Sequence, residues 1–210
     1  MNIVVCVKYV PDAQSDRGFN EDNTTDREGV DGLLSELDEY AVEEALKIVE
    51  AGEGEVTVLT VGPDAAAEAV KKALQMGAHK GVHINDEAIH GSDAPATSLV
   101  LAEAVKKIGS PDIVMTGMAS TDGTMSVIPP MLAERLGLPQ VTFASELTLD
   151  GGSVTIRRDG DTATVTPAQA PGPPASHHPT GHPGCRGRAR GRPPSTTPRQ
   201  RSWPAGRRAR

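Results

Sequence analysis

The 210-residue sequence has only two cysteines, Cys6 in an apolar strand-like run and Cys185 far towards the C-terminal end. That gives no disulfide framework and fits a reducing compartment. Long apolar runs are also missing: nothing approaches the roughly 20 residues of a membrane span. The N-terminal "IVVCV" is interrupted by Lys8 and is too short for the apolar core of a signal peptide. A soluble, cytoplasmic protein without a membrane span is expected. Basic charge is scarce in the body of the chain, where residues 1–165 hold all 28 acidic residues against 12 of the 21 Lys and Arg, a formal charge of −16. Such a body argues against nucleic-acid binding, because phosphate contacts need clustered Lys and Arg. It permits docking with a basic partner.

Several catalytic signatures are absent as well. No G-x-x-x-x-G-K-S/T occurs, so a P-loop NTPase is not supported. The loop after the first apolar run, "YVPDAQSD", lacks the G-x-G-x-x-G turn of the usual dinucleotide site. There is no G-x-S-x-G, and no Ser, Cys or His stands in a recognisable nucleophile setting.

What is present alternates strand and helix. The run 2–10 reads as a buried parallel strand, and 11–32 as a long polar loop with Phe19 and Val30 as its anchors. "SELDEYAVEEALKIVEAG" places Val42, Ala45, Leu46 and Val49 on one helical face, with Ser35 and Asp38 at capping-box spacing and Gly52 as the stop. A strand over 55–62 follows, then a helix entered at Pro63 with Ala66, Ala69, Val70, Ala73 and Leu74 facing inward and Gly77 ending it. "KGVHIN" is a third strand, Leu101, Ala104, Val105 and Ile108 mark a helix stopped by Gly109, and "DIVMTG" is a fourth strand. This order means α/β class, a doubly wound parallel sheet with helices on both faces. After a small-residue loop, 128–137 is helical with Pro129 in its first turn. Short alternating runs turned at Asp150-Gly151-Gly152 and Asp159-Gly160 then read as antiparallel hairpins. The chain divides into an α/β domain over 1–145, the start of a hairpin lobe over 146–165, and a low-complexity tail over 166–210 that is expected to be disordered.

The loop after the fourth strand, "GMASTDGTMSVI", is the candidate site. Ligands of open α/β sheets lie at the carboxyl ends of the strands, where the order reverses. Small side chains from Gly117 onward let backbone N–H groups approach an anion, Ser120, Thr121, Thr124 and Ser126 offer hydroxyls, and the next helix adds its positive end. A plain small-residue turn has the same composition, so both readings stand on chemistry alone. Asp122 is read as a turn cap or a hydrogen-bond partner of a sugar or backbone amide rather than as a general base. His79 and His83, four apart on a strand, are too separated for one metal ion, and Cys6 is read as a small buried hydrophobe.

The tail from Thr166 carries nine arginines, no lysine, no acidic residue and ten of the 17 prolines. Its His177, His178, His182 and Cys185 sit in low-complexity flanks that cannot build a metal site. Pro, Ala, Gly and Arg make up about two thirds of it, the residues whose codons begin with two G or C bases. A shifted reading frame in GC-rich DNA is expected to produce such a segment, and translation of the other two frames tests this.

The segments "MNIVVCVKYVPD", "DEYAVEEALKI", "VTVLTVGP", "KKALQMGAHKGVHI", "DIVMTGMASTDGTMSVIPPMLAERLGLPQVTFAS" and "LTLDGGSVTIRR" together resemble, in order and spacing, the β subunit of electron transfer flavoprotein (the FixA family) over residues 1 to about 165. The resemblance implies a carrier without catalytic residues of its own, partnered by an α subunit that holds most of the FAD. It would accept electrons from acyl-CoA and related dehydrogenases and pass them to a quinone oxidoreductase. It also implies a buried, structural AMP. By position, the AMP contacts would be Cys6, Ser35, Val61, Gly117, Met118, Ala119, Ser120, Thr121, Asp122, Gly123, Thr124, Met125, Ser126, Val127 and Ile128. Ser35 departs from the family's Asn in an N-P-F/Y-D-E sequence, Ala13 stands where some members have an aromatic near the flavin, and the Arg/Pro tail replaces the family's recognition loop and C-terminal arm. Two alternatives on a similar sheet are a stand-alone adenine-nucleotide sensor of the universal-stress type, whose G-x-x-G followed by G-S/T in the final loop is not found, and an ATP pyrophosphatase, whose S-G-G-x-D-S loop after the first strand is not found.

Overall fold

β1 (Asn2–Cys6) is apolar at every position after Asn2 because both of its faces are covered. It is one of the two inner strands of a four-stranded parallel sheet, pairing Ile3 with Val56 on one side and with Ile113 on the other. The computed structural model describes residues 1–150, 153–159 and 164–165; the tail, with His177, His178, His182 and Cys185, lies outside them.

The expected strand over 2–10 is divided. Val7 still donates its N–H to the Leu59 carbonyl, but the Lys8 N–H leaves the ladder for the Asp38 carboxylate, 2.8 Å away. Beyond that break β2 (Tyr9–Pro11) pairs antiparallel with β3 (Gly32–Leu34). The segment read as one long loop is therefore clasped at its base by a two-stranded ribbon. Phe19 is no anchor; its ring is 78% exposed.

α1 (Glu36–Glu50) buries Val42, Ala45, Leu46 and Val49 as its periodicity requires. Each buried Val or Leu side chain among these contributes about 1.5–3 kcal/mol. The capping box does not form: the Ser35 carbonyl accepts the Asp38 and Glu39 N–H groups, the Ser35 hydroxyl makes no cap bond, and the Asp38 side chain turns to Lys8. β4 (Glu55–Val61) follows, then a 3-10 turn at Asp64–Ala66 leading into α2 (Ala67–Met76), which buries Ala69, Val70 and Ala73 but leaves Leu74 40% exposed, contrary to its expected inward position. β5 (Lys80–Ile84), α3 (Ala94–Ile108), β6 (Ile113–Thr116) and α4 (Ile128–Leu136) complete the sheet and its layers.

The sheet order is β5-β4-β1-β6. One face packs Ile3, Val5 and Val7 against α1 and α2; the other packs Val4, Cys6 and Leu59 against α3 and α4. The expected doubly wound architecture is therefore observed, with alternate residues of β1 serving opposite cores. The antiparallel part is also as expected. β7 (Glu146–Asp150) pairs with β8 (Ser153–Asp159) from Asp150–Ser153 to Glu146–Arg157, and β9 (Thr164–Val165) pairs with the end of β8. Arg158 binds back to the Thr142 carbonyl and hydroxyl at 2.9 and 2.6 Å and lies over the Phe143 ring. Among the described residues, no helix is long and apolar enough to cross a membrane.

Candidate functional site

Chain order reverses between β1 and β6: β4 and β5 are added on one side of β1, and β6 on the other. At the carboxyl ends of such a pair the connecting loops part in opposite directions and leave a crevice. A cleft of about 290 Å³ occupies this point. Its floor is the end of β1 (Cys6, Val7, Lys8) and of β6 (Thr116), with Asp38 of α1 on one side and Asp93, Ala94 and Thr97 at the start of α3 on the other. A wider concavity of about 420 Å³ on α4 is lined by Pro130, Met131, Glu134 and Arg135. Those four residues belong to one helix, and among the described residues no groups from other elements line it.

Of the residues singled out in the sequence, Cys6 and Val61 line the cleft, as do Gly117, Met118, Ala119, Ser120, Gly123, Met125, Ser126 and Ile128. Thr121, Asp122, Thr124 and Val127 belong to the same loop but lie outside the wall. Ser35 is fully buried and also outside it, and its hydroxyl has no hydrogen-bond partner.

Gly117 is required by close approach. A Cβ there would stand 2.2 Å from an Asp38 carboxylate oxygen and 2.9 Å from the Leu37 carbonyl oxygen. A Cβ at Gly123 would meet only the Ser120 hydroxyl, at 3.7 Å. Further along, Thr124 and Ser126 adopt left-handed backbone (φ 52° and 53°), which for a β-branched Thr costs on the order of 1–3 kcal/mol. Met125 between them is 61% exposed. Pro129 and Pro130 occupy the first turn of α4 and remove two of its N–H donors, so that helix offers an anion its dipole but few amides.

Asp122 accepts a backbone amide, as one of its expected roles required, and is also the centre of an ion-pair cluster. Its side chain is 3% exposed and binds Lys8 Nζ and Arg27 Nη2, each at 2.8 Å. It also accepts the Gly123 N–H at 2.7 Å. Burial pushes this carboxyl upward, but the Lys8 charge and the hydrogen bonds from Lys8, Arg27 and Ser120 outweigh burial and hold it well below the usual carboxylate range. Arg17 adds a second tie, donating to the Thr121 carbonyl at 2.6 Å. The loop 12–31 is thus fastened over the segment that follows β6.

Asp38 carries the opposite perturbation. Burial pushes its carboxyl up to about 7, against the Lys8 and Gly117 N–H groups and the Lys8 charge, with Asp122 adding a further push. Sequence reasoning assigned Asp38 to a helix cap, and the only signal of its other role was an acidic residue at a position that the apolar helix face buries. The Cys6 thiol is pushed up to about 12 by burial, reinforced by Asp38, which agrees with its reading as a small hydrophobe.

These features leave room for a small polar ligand. The loop brings backbone close without side chains intervening, and Asp38 is a buried acceptor with no ion-pair partner, suited to an N–H or O–H of a ligand. Lys8 spends its charge on Asp122, so an anion would be held by amides and hydroxyls rather than by a cation. Among the described residues no group of three His, Cys, Asp or Glu could hold a metal. His79 and His83 are occupied separately, with the Val56 N–H and the Gly62 carbonyl.

Residues 22–175 match the sequence profile of the electron transfer flavoprotein domain. The β subunit of electron transfer flavoprotein from Mycobacterium leprae (strain TN) is 46% identical over 171 residues, covering 79% of this chain and 64% of that protein. Protein FixA of Rhizobium meliloti (strain 1021) is 42% identical over 165 residues, covering 75% and 56%. The β subunit from Clostridium acetobutylicum is 40% identical over 158 residues, covering 75% and 61%. The chain thus spans less than two thirds of the length of these relatives. With the sheet order and the hairpins in place, these matches identify the chain as a member of the electron transfer flavoprotein family, its curated relatives there being β subunits and FixA proteins.

Proposed function

We propose that this chain is an electron-carrier β subunit that holds AMP structurally in the switch-point cleft. With an α subunit carrying most of the FAD, it would relay electrons from acyl-CoA and related dehydrogenases to a quinone oxidoreductase. The observation that carries the reading is the cleft itself, walled by Cys6, Val61 and the segment after β6 at the point of strand reversal, in a chain of this family. The flavin, when bound, supplies the electron chemistry. The protein's own contribution is to bind, orient and exclude water. Gly117 lets the loop close on α1, Asp122 fixes the loop against Lys8 and Arg27, and Asp38 offers a buried acceptor.

The tail bears on assembly. Where the family continues into a recognition loop and an arm around the α subunit, this chain has the Arg/Pro tract, so AMP binding is expected to persist while heterodimer stability and dehydrogenase docking are weakened. Purification followed by nucleotide extraction and mass spectrometry tests the first part, with about one AMP per chain expected. Co-expression with an α subunit and size exclusion tests the second; a stable FAD-loaded heterodimer would refute the weakening. Absence of any adenine nucleotide would refute the cleft assignment.

A further inference from the structure

We propose that an anionic nucleotide entering the switch-point cleft binds together with a proton taken up by Asp38. The inference rests on reading the cleft as a nucleotide site. Asp38 lies in the first turn of α1, is buried among its neighbours, and still forms part of the cleft wall. Its carboxylate accepts two backbone N–H groups, from Lys8 at 2.8 Å and from Gly117, and among the described residues it makes no ion pair.

The charged groups around it explain why. Lys8 Nζ is committed to Asp122, as is Arg27. From β1 the neighbouring titratable group is the neutral Cys6 thiol. Across the cleft Asp93 uses its carboxylate on the Ala96 N–H at the start of α3, and on α1 itself Glu36 and Glu39 add negative charge. Both nearby cations are thus engaged by Asp122, whose charge also acts against ionisation of Asp38, and burial brings the Asp38 carboxyl to about 7, so both of its forms are populated at neutral pH.

A phosphate in the same 290 Å³ space disfavours the ionised form further. A proton from solvent relieves the repulsion, and the new O–H becomes a donor while the two backbone bonds persist on the remaining lone pairs. Cleft and ligand together then change charge by one unit less than the ligand alone would impose.

The test is isothermal titration calorimetry of the full chain, first freed of co-purified nucleotide and checked by mass spectrometry, with AMP at pH 7.5 in two amine buffers of different ionisation enthalpy. If the bound anion raises the carboxyl by about one unit, uptake is about half a proton per AMP, and affinity falls by up to about tenfold from pH 6.5 to 8.5. The phosphate's own second ionisation, near 6, is almost complete at pH 7.5 and contributes little. Adenosine, which has no phosphate, is expected to bind without uptake, and Asp38→Asn to abolish uptake and flatten the pH profile. Should that variant not fold, the comparison of AMP with adenosine on the unaltered chain decides. AMP binding with zero uptake, or equal uptake with adenosine, overturns the proposal while leaving the nucleotide site intact. No AMP binding at any pH overturns both.

Discussion

Replacing Gly117 by alanine tests the geometry on which the cleft depends. The added methyl would lie 2.2 Å from an Asp38 oxygen and 2.9 and 3.0 Å from the Leu37 carbonyl oxygen and carbon. Asp38 can rotate away only by giving up the N–H bonds from Lys8 and Gly117, and Leu37 presents backbone, which must move with the whole first turn of α1. Forced overpacking costs about 1–3 kcal/mol, and loss of a hydrogen bond to a charged acceptor about 1.5 kcal/mol or more. A destabilisation of about 3 kcal/mol follows. For a body of this size each kcal/mol moves Tm by about 2–4 °C, so a fall of roughly 6–12 °C is expected. Gly123→Ala is the control, because its methyl meets only the Ser120 hydroxyl at ordinary contact distance and neither glycine has positive φ. That variant should stay within about 0.5 kcal/mol of the parent. Thermal unfolding followed by far-UV circular dichroism compares the three proteins, and equal Tm values for the two variants would refute the close-approach argument.

Asp122→Asn should cost about 1–2 kcal/mol at pH 7, since Lys8 and Arg27 are partly exposed and can rehydrate. Because the native carboxyl is held below its unfolded value near 3.9, its contribution is present above that value and is lost as pH falls through the native one. Urea titrations should therefore show the deficit of the variant at pH 7 shrinking at pH 3, and tryptic cleavage after Arg17 and Arg27 should accelerate at neutral pH. With the thiol pushed up to about 12, Cys6 should resist iodoacetamide at pH 8 in a Cys185→Ser background and react once urea unfolds the chain; labelling of the folded protein would contradict its burial. Thr124→Gly removes a β-branched residue from left-handed backbone, a relief larger than the entropy glycine loses on folding, and should raise stability by about 0.5–1 kcal/mol in the same urea assay.

The parallel strands were legible because β1 and β4 are covered on both faces, which selects continuous apolar runs such as Ile3-Val4-Val5. The loop after β6 was legible from its small residues. Three features were not. The end of β1 at Cys6 is set by Asp38, 30 residues further along than Lys8, and no local pattern near Lys8 announces it. Asp38 itself sits at a spacing that local reasoning assigns to a cap, a role the Ser35 carbonyl pre-empts. Asp122 looks like a turn residue until the fold brings Lys8 and Arg27 to it, because ion pairs between distant segments leave no periodic trace. Phe19 and Leu74 were misplaced for a related reason: an apolar residue in a polar loop or at a helix edge is buried only if another element covers it.

Lys8 has one further consequence. Its N–H, carbonyl and ammonium groups make three contacts, with Asp38, Ser35 and Asp122 in turn, so two stretches of chain, the start of α1 and the segment after β6, converge on one residue, the second of them 114 positions away. Loop-closure entropy makes contacts of that separation slow to form, and β6 must have docked on β1 before the third can be made. The cleft therefore exists only where residues translated first and those translated much later have met. A ligand held there would select chains whose sheet is already closed, and its retention would mark a completed fold.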